Sequence, residues 1–377
     1  MKKHVVILGA GFAGLELATQ LSSTLRDHVD VTLIDSSDSF VFGFSKLDVL
    51  FGRTTTENVR LFYRDIDKAG VVFRKEEIIS IEPESRRVRT DANSYDADIL
   101  VVALGAAYDY RATPGFMEGG FEYYSLAGAE RLRDALGSFD SGRVLIAVLG
   151  EPYKCPPAPF EGALLLHDYF SERGIRGSVE INVAGYMAAP VPIATQVSQA
   201  IHRALIERGV GFLPKTTVTS LDVERRLAAT KDDSIPYDLF IGIPVHKVPD
   251  VVKTSGLTGD GNWIPIETAN LRTPFPDIYA VGDVAGAPMA KAGVFAEAAA
   301  RVVAGDIAAN LRGTAPPPPF DGAGNCYIEF GGGLVAKVEA NFLGGPKPTG
   351  RLVGPSRQLA ADKAEFASTR RQLWFGR

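Results

Sequence analysis

His4-Val-Val-Ile-Leu-Gly9-Ala-Gly11-Phe-Ala-Gly14-Leu-Glu-Leu-Ala18 runs from an unbroken apolar stretch into three glycines and out into a helical repeat. Residues 4–9 read as a buried strand, and residues 12–25 as a helix with Leu15, Ala18, Leu21 and Leu25 on one face. Val31-Thr-Leu-Ile-Asp35 reads as the next strand, so the chain opens on a βαβ unit of a doubly wound sheet. Gly9, Gly11 and Gly14 stand at the strand-to-helix turn, and Asp35 closes the following strand 21 residues after Gly14. This is the full context of a dinucleotide fingerprint rather than the bare motif. Free backbone N–H groups at the helix start would hold a pyrophosphate. Asp35 would accept hydrogen bonds from ribose hydroxyls.

Working outward, residues 71–88 alternate as strands do, and Asp98-Ile-Leu-Val-Val-Ala-Leu-Gly105 is a buried strand ending in a glycine turn. Residues 126–137 read as a helix. Arg143-Val-Leu-Ile-Ala-Val-Leu-Gly150 begins a second βα pattern, followed by a helix over 161–172 and a strand over 179–184. The expected fold class is α/β: two Rossmann-like doubly wound domains plus a small C-terminal segment. Residues 1–108 and 240–312 form the first domain, 109–239 the second, and 313–377 a linker and terminal segment. Pro316 to Pro319 should be stiff and extended.

Two further stretches narrow the cofactor. Thr273-Pro-Phe-Pro-Asp-Ile-Tyr279-Ala-Val-Gly282-Asp283 reads as a strand ending in Gly-Asp, and Lys291-Ala-Gly-Val-Phe-Ala-Glu297 opens a helix. Asp283 there could bond the ribityl chain of a flavin. The helix N-terminus could stabilise negative charge on the reduced ring. Taken with the first loop, this favours FAD over NAD. The second βα turn, Gly150-Glu-Pro-Tyr-Lys-Cys155-Pro-Pro-Ala-Pro-Phe-Glu161, has lost the glycines that let a backbone approach a pyrophosphate, and has gained a thiol.

Apolar content of 46% and charged content of 23% are those of an ordinary globular protein, and a net charge of -5 argues against nucleic acid as main partner. No apolar run approaches the roughly 20 residues that span a bilayer. Met1-Lys-Lys-His-Val-Val-Ile-Leu-Gly mimics a signal peptide but runs straight into the glycine turn. The reading is therefore cytoplasmic, with peripheral contact on the cytoplasmic membrane face left open. The only cysteines are Cys155 and Cys326, which excludes a disulfide scaffold. Lys154 beside Cys155 should favour the thiolate. Gly322, Gly324 and Gly331 to Gly333 should let the backbone around Cys326 come close to another group. No metal-ligand cluster is read.

The Gly9/Gly11/Gly14 loop, Val101-Val-Ala-Leu-Gly105 and Tyr279-Ala-Val-Gly-Asp283 resemble the pyridine nucleotide–disulfide oxidoreductase superfamily over nearly the whole chain. Lys154-Cys155-Pro-Pro-Ala-Pro-Phe-Glu161 is similar to the Lys-Cys-x-x-Ala-Pro block of its sulfide:quinone oxidoreductase and flavocytochrome c sulfide dehydrogenase branch. The resemblance extends to Gly256-Leu-Thr-Gly-Asp-Gly-Asn-Trp-Ile-Pro-Ile and to a cysteine after the proline linker.

It implies a redox-active pair, Cys155 and Cys326, beside FAD. Sulfide or a small sulfur species would attack the oxidised pair, leaving a persulfide on Cys326 and a thiolate at Cys155. Electrons would pass through FAD to quinone or another acceptor. Glu161 would accept a proton and Lys291 would stabilise reduced flavin. Gly105 and Gly282 join the cofactor site. Quinone-reducing members often carry a third cysteine, where this chain has Phe121-Glu-Tyr-Tyr-Ser125. The flavin-tethering cysteine of the flavocytochrome branch is missing near Phe42-Gly-Phe44, so FAD should be noncovalent. Phe330 and Phe342 are candidates for a quinone slot or for ordinary packing.

Residues 356–377 can form a helix with Leu359, Phe366 and Leu373 on one face and Trp374 and Phe375 beside them. Such a helix could lie in a membrane interface, or pack on the protein or a homodimer partner. Two other functions compete. A type II NADH dehydrogenase would need a glycine-rich loop after residue 150. A flavin redox sensor or electron-transfer subunit would not need the cysteine pair.

Overall fold

The structure, a computed structural model, describes residues 2–376. Five parallel strands form the first sheet, in the order Val71–Lys75, Val29–Asp35, Lys3–Leu8, Ile99–Val102 and Ile278–Ala280. The helices Phe12–Leu25 and Gly293–Arg312 lie together against it. A second parallel sheet runs Gly120–Phe121, Leu239–Ile243, Gly142–Val148, Val179–Gly185 and Val210–Pro214. Each sheet carries a small three-stranded antiparallel meander, over residues 78–96 in one and 220–236 in the other. The two crossings between the domains, Ala107–Asp109 and Val245–Lys247, pair antiparallel with each other.

The boundary expected at residue 240 is displaced. Leu239–Ile243 hydrogen-bonds to Gly142–Val148, so it completes the second sheet, and the chain returns to the first domain only after Val245–Lys247. Its five residues are all buried. A strand covered on both faces has no alternation, and its sequence does not say which of two similar sheets it joins.

Three antiparallel strands, Ala323–Gly331, Leu334–Asn341 and Thr349–Ser356, follow the irregular proline run and lead to the helix Gln358–Phe375. This terminal segment straddles the two domains. Ile328, Phe330, Ala336 and Val338 enter the core of the second. Trp374 and Phe375 enter the core of the first. Trp374 packs edge-on to Phe12 and Phe40, and its Nε1 donates to the buried Glu16 carboxylate at 2.8 Å. Of the two roles open to the aromatic pair, membrane contact or packing on the protein, the structure shows packing: both rings are internal. Among the described residues no helix is long and apolar enough to cross a membrane.

Candidate active site

The glycines of the first turn are required for separate reasons. Gly9 adopts φ +100°, and a Cβ there would lie 2.5 Å from the Ala103 carbonyl oxygen. At Gly14 a Cβ would lie 1.9 Å from the Gly9 oxygen, so only glycine lets the helix start this close to the strand. Gly11 is different: nothing lies within 4 Å of its Cβ position. That open space belongs to a cavity of about 340 Å³ lined also by Gly105, Gly282 and Asp283. Asp35 is fixed at its strand end by backbone N–H groups of Ala10 and Ser37, both at 2.8 Å. An ionised carboxylate still has lone pairs to offer beyond those two bonds. A turn with room at Gly11, a carboxylate at the next strand and a long cavity toward Asp283 fit a dinucleotide flavin.

The same cavity holds both sulfurs. Cys155, Cys326 and Glu161 line it together with Tyr108, Tyr124 and Phe366. Cys155 sits at the turn before the helix Ala158–Glu172, with φ +54°. That left-handed conformation costs a side-chain-bearing residue about 1–2 kcal/mol. It is held by a hydrogen bond from Cys155 N to the Lys291 carbonyl at 2.8 Å. Cys326 comes from the first strand of the terminal meander, 171 positions later. Glycine permits the close approach there: a Cβ at Gly324 would lie 2.7 Å from the Phe295 ring, and one at Gly331 2.7 Å from Asp168. Both cysteines are free thiols.

Burial, then the Glu161 charge, then the other sulfur push the Cys155 thiol up; burial and Glu161 push Cys326 up to about 12. Lys154 does not produce the thiolate expected of it. Its ammonium turns to the Ala106 carbonyl at 2.8 Å and the Tyr108 hydroxyl at 3.2 Å, directing its charge away from the sulfur. Glu161, on the first turn of the thiol helix, is buried and accepts from Glu329 N at 2.8 Å. Burial raises its carboxyl to about 7, against the pull of Lys363.

Lys291 is buried, but outside this cavity. Its ammonium donates to the Asp283 carbonyl at 2.6 Å and lies 3.5 Å from the centre of the Trp263 ring, so it anchors the Gly282–Asp283 turn from behind. It meets Cys155 only through its backbone. Phe330 is core, and Phe342 packs on Phe295 at 5.2 Å; neither lines the cavity.

Several lining residues had no signal in the sequence. Lys46 reaches the Tyr124 carbonyl at 2.5 Å, and burial lowers its ammonium to about 8. Behind the lining, against the rings of Tyr108 and Tyr124, His246 is held neutral, its pKa depressed to about 3 by burial and by Lys154. Phe366 comes from the C-terminal helix. It shares with Val294, Asn325 and Tyr327 the wall between this cavity and a second hollow of about 430 Å³.

The second βα turn offers no phosphate cradle. The N–H groups of Ala158, Phe160 and Glu161 are taken by the carbonyls of Cys155 and Pro157 at 2.9–3.1 Å, and Pro159 has none to give. A pyrophosphate at this helix start, residues 157–161, would find neither a free donor nor a glycine.

Two parallel-sheet domains, one intact dinucleotide turn and a thiol in place of the other define an oxidoreductase of the two-dinucleotide flavoprotein class. The model of the pyridine nucleotide-disulphide oxidoreductase family matches residues 3–151 and 178–300. The chain belongs to that family. It is similar to the mitochondrial sulfide:quinone oxidoreductase of Dictyostelium discoideum, 23% identical over 86% of this chain and 74% of that protein. It is also similar to the type II NADH:quinone oxidoreductase of Staphylococcus saprophyticus, 31% identical over 35% of this chain and 33% of that protein. The fold matches the solved sulfide:quinone oxidoreductase of the hyperthermophilic bacterium Aquifex aeolicus with a TM-score of 0.88, at 20% identity, over 98% of this chain and 92% of that one.

Proposed function

We propose that this protein oxidises sulfide, or a related small sulfur species, through Cys155 and Cys326 and passes the electrons by way of noncovalent FAD to a quinone or another acceptor. The observation that carries the reading is that both thiols and Glu161 line the cavity that Gly11, Gly105 and Asp283 leave open. Bound FAD would supply a two-electron acceptor beside the sulfurs. With the pair oxidised, sulfide attacks Cys326; the Cys155–Cys326 bond breaks as the new S–S bond forms. Cys155 leaves as a thiolate carrying the electron pair lost by the sulfide sulfur. The proton given up by the incoming sulfide goes to Glu161, whose affinity near neutrality suits a group that takes and releases protons in each turnover. Protonation of Glu161 also removes the charge that opposes a thiolate at both cysteines. Delivery to a quinone would place the protein against a membrane. Arg371 and Leu373, exposed on the outer face of the terminal helix, are the part of the tail left to make that contact.

Anaerobic titration of the flavin-loaded protein with sulfide and, separately, with NADH tests the reading by the visible absorption of the flavin. Bleaching by sulfide but not NADH, lost in Cys155→Ser, is the expected result. Bleaching by NADH alone would overturn it in favour of an NADH dehydrogenase. Bleaching by neither would leave a flavin-binding redox protein of another kind.

A further inference from the structure

Two ammonium groups meet on one wall of the cavity. Lys46 comes from the short helix Ser45–Leu50 and Lys154 from the turn before Cys155, and both line the space that Gly282 and Asp283 also line. Lys154 Nζ donates to the Tyr108 hydroxyl at 3.2 Å, that hydroxyl donates to the Tyr124 carbonyl at 3.2 Å, and Lys46 Nζ donates to the same carbonyl at 2.5 Å. Tyr124 also ties down the turn, its own hydroxyl donating to the Lys154 carbonyl at 2.8 Å. Two neutral oxygens thus hold two cations together. Among the described residues neither ammonium has a carboxylate within ion-pair distance; their bonds go to the Tyr124 and Ala106 carbonyls and the Tyr108 phenol. Burial lowers both, Lys46 to about 8, and the Lys154 charge pushes Lys46 down further. A buried charge without a partner is costly, and a neighbour of like sign adds to the cost.

We propose that Lys46 and Lys154 are a paired cation site for the negative charge of the reduced flavin. The proposal rests on the FAD part of the reading above and is independent of the electron donor. The nearby acids leave the pair in excess. Glu122 acts on Lys46, but its carboxylate is committed to Tyr124 N at 2.5 Å, Ser125 N at 2.8 Å, the Ser125 hydroxyl and the Tyr110 hydroxyl at 3.4 Å. Asp283 supports Lys154, and also Lys291 behind its own turn. His246, which accepts from Lys154 N at 3.3 Å, is neutral. Three lysines therefore stand against two carboxylates. The charges acting on the sulfurs come from elsewhere, from Glu161 on both and from Lys363 on Cys155, so the pair is not spent on a thiolate. Two electrons taken up with one proton leave a flavin ring anionic, and the charges set around it tune how readily it is reduced. Cations fixed in advance by Tyr108 and Tyr124 need no rearrangement to meet that charge. They favour the reduced state over the oxidised one and raise the potential of the bound cofactor. Lys291, expected from the resemblance to do this, anchors the Gly282–Asp283 turn instead.

The test is the midpoint potential of the flavin in the loaded protein, measured anaerobically against indicator dyes with no sulfide present. Lys46→Gln and Lys154→Gln each remove a charge and keep a donor for the oxygen that the ammonium bonds. Each should lose about tenfold in the preference for reduced over oxidised flavin, at the low end of what a neighbouring charge contributes. For a two-electron couple that is a fall of about 30 mV. Lys46→Arg and Lys154→Arg restore the charge and should stay near the unaltered protein. Gln variants at the unaltered potential overturn the proposal, and so do Gln and Arg variants that fall alike, which would mean simple loosening of the site. Unaltered potentials together with weaker sulfide binding would overturn it too, by assigning the pair to the incoming sulfur anion. If sulfide fails to bleach the unaltered protein, the functional reading falls, and the potentials decide by themselves whether this pair acts on the flavin.

Discussion

Gly11 and Gly14 are three residues apart and fail in opposite ways when a methyl group is added. Gly14→Ala drives a carbon into the Gly9 carbonyl, 1.9 Å away, and should yield little folded protein. Gly11→Ala meets nothing, at an ordinary φ of -78°. It should fold with an unchanged circular dichroism spectrum yet lose most of its visible flavin absorption, because the methyl group occupies the space left for a cofactor. Retained flavin in Gly11→Ala would show that the cofactor lies elsewhere. Glu161 carries a pH signature of its own. Its carboxyl titrates at about 7 in the fold against an ordinary 4.5. Between those values the unfolded chain has released the proton that the folded chain keeps. Stability therefore falls as pH rises through that window, and the loss is complete above it. Glu161→Gln escapes the loss and should be more stable than the parent above neutrality by something on the order of 2 kcal/mol, with the gap closing toward pH 4. Urea midpoints across pH measure it. Glycine spacing and the Cys155 block were legible in the sequence because local sterics and local composition demand them. Lys154 was misread because adjacency in sequence does not fix where a long flexible side chain sends its charge, and here a carbonyl and a phenol claimed it.

Among the elements, the helices at 12–25 and 126–137 stand where periodicity put them. Each has a clear apolar face and a clear start: three glycines for one, and for the other the Ser125 hydroxyl accepting from Gly128 N at 2.8 Å. The C-terminal helix was legible as a helix but not by destination. Its aromatic end could suit a lipid surface or a protein core, and only the tertiary fold shows Glu16 waiting with a carboxylate for the indole N–H. Trp374→Ala should cost about 3–5 kcal/mol from lost packing in a core. Trp374→Phe, which keeps a ring but not the N–H, should cost only about 1–3 kcal/mol for the acceptor left unbonded. Denaturant unfolding of the two variants separates these contributions. A surface-anchoring helix would give no measurable loss in either.

At the scale of the whole molecule, one sequence motif was repeated in space with its chemistry changed. The first sheet keeps a phosphate turn at its helix start, whereas the second has closed the equivalent position with prolines and its own carbonyls. Isothermal titration of NADH into the flavin-loaded protein should therefore show no saturable binding. What could not be read from the sequence was which distant segments complete the cavity. Tyr327 and Phe366 lie about 170 and 210 positions from Cys155, and nothing local marks them. Removal of residues 313–377 should uncover both cores where Ile328, Phe330 and Trp374 plug them, and gel filtration should find aggregate rather than a smaller soluble domain. The straddling terminal segment also sets an order in time. During synthesis Cys155 emerges long before Cys326, and the wall residue Phe366 follows later still. A chain stopped before residue 326 contains the complete dinucleotide turn, one thiol and Glu161, but not the second sulfur. A chain stopped there lacks one partner of the disulfide that the incoming sulfur would have to attack.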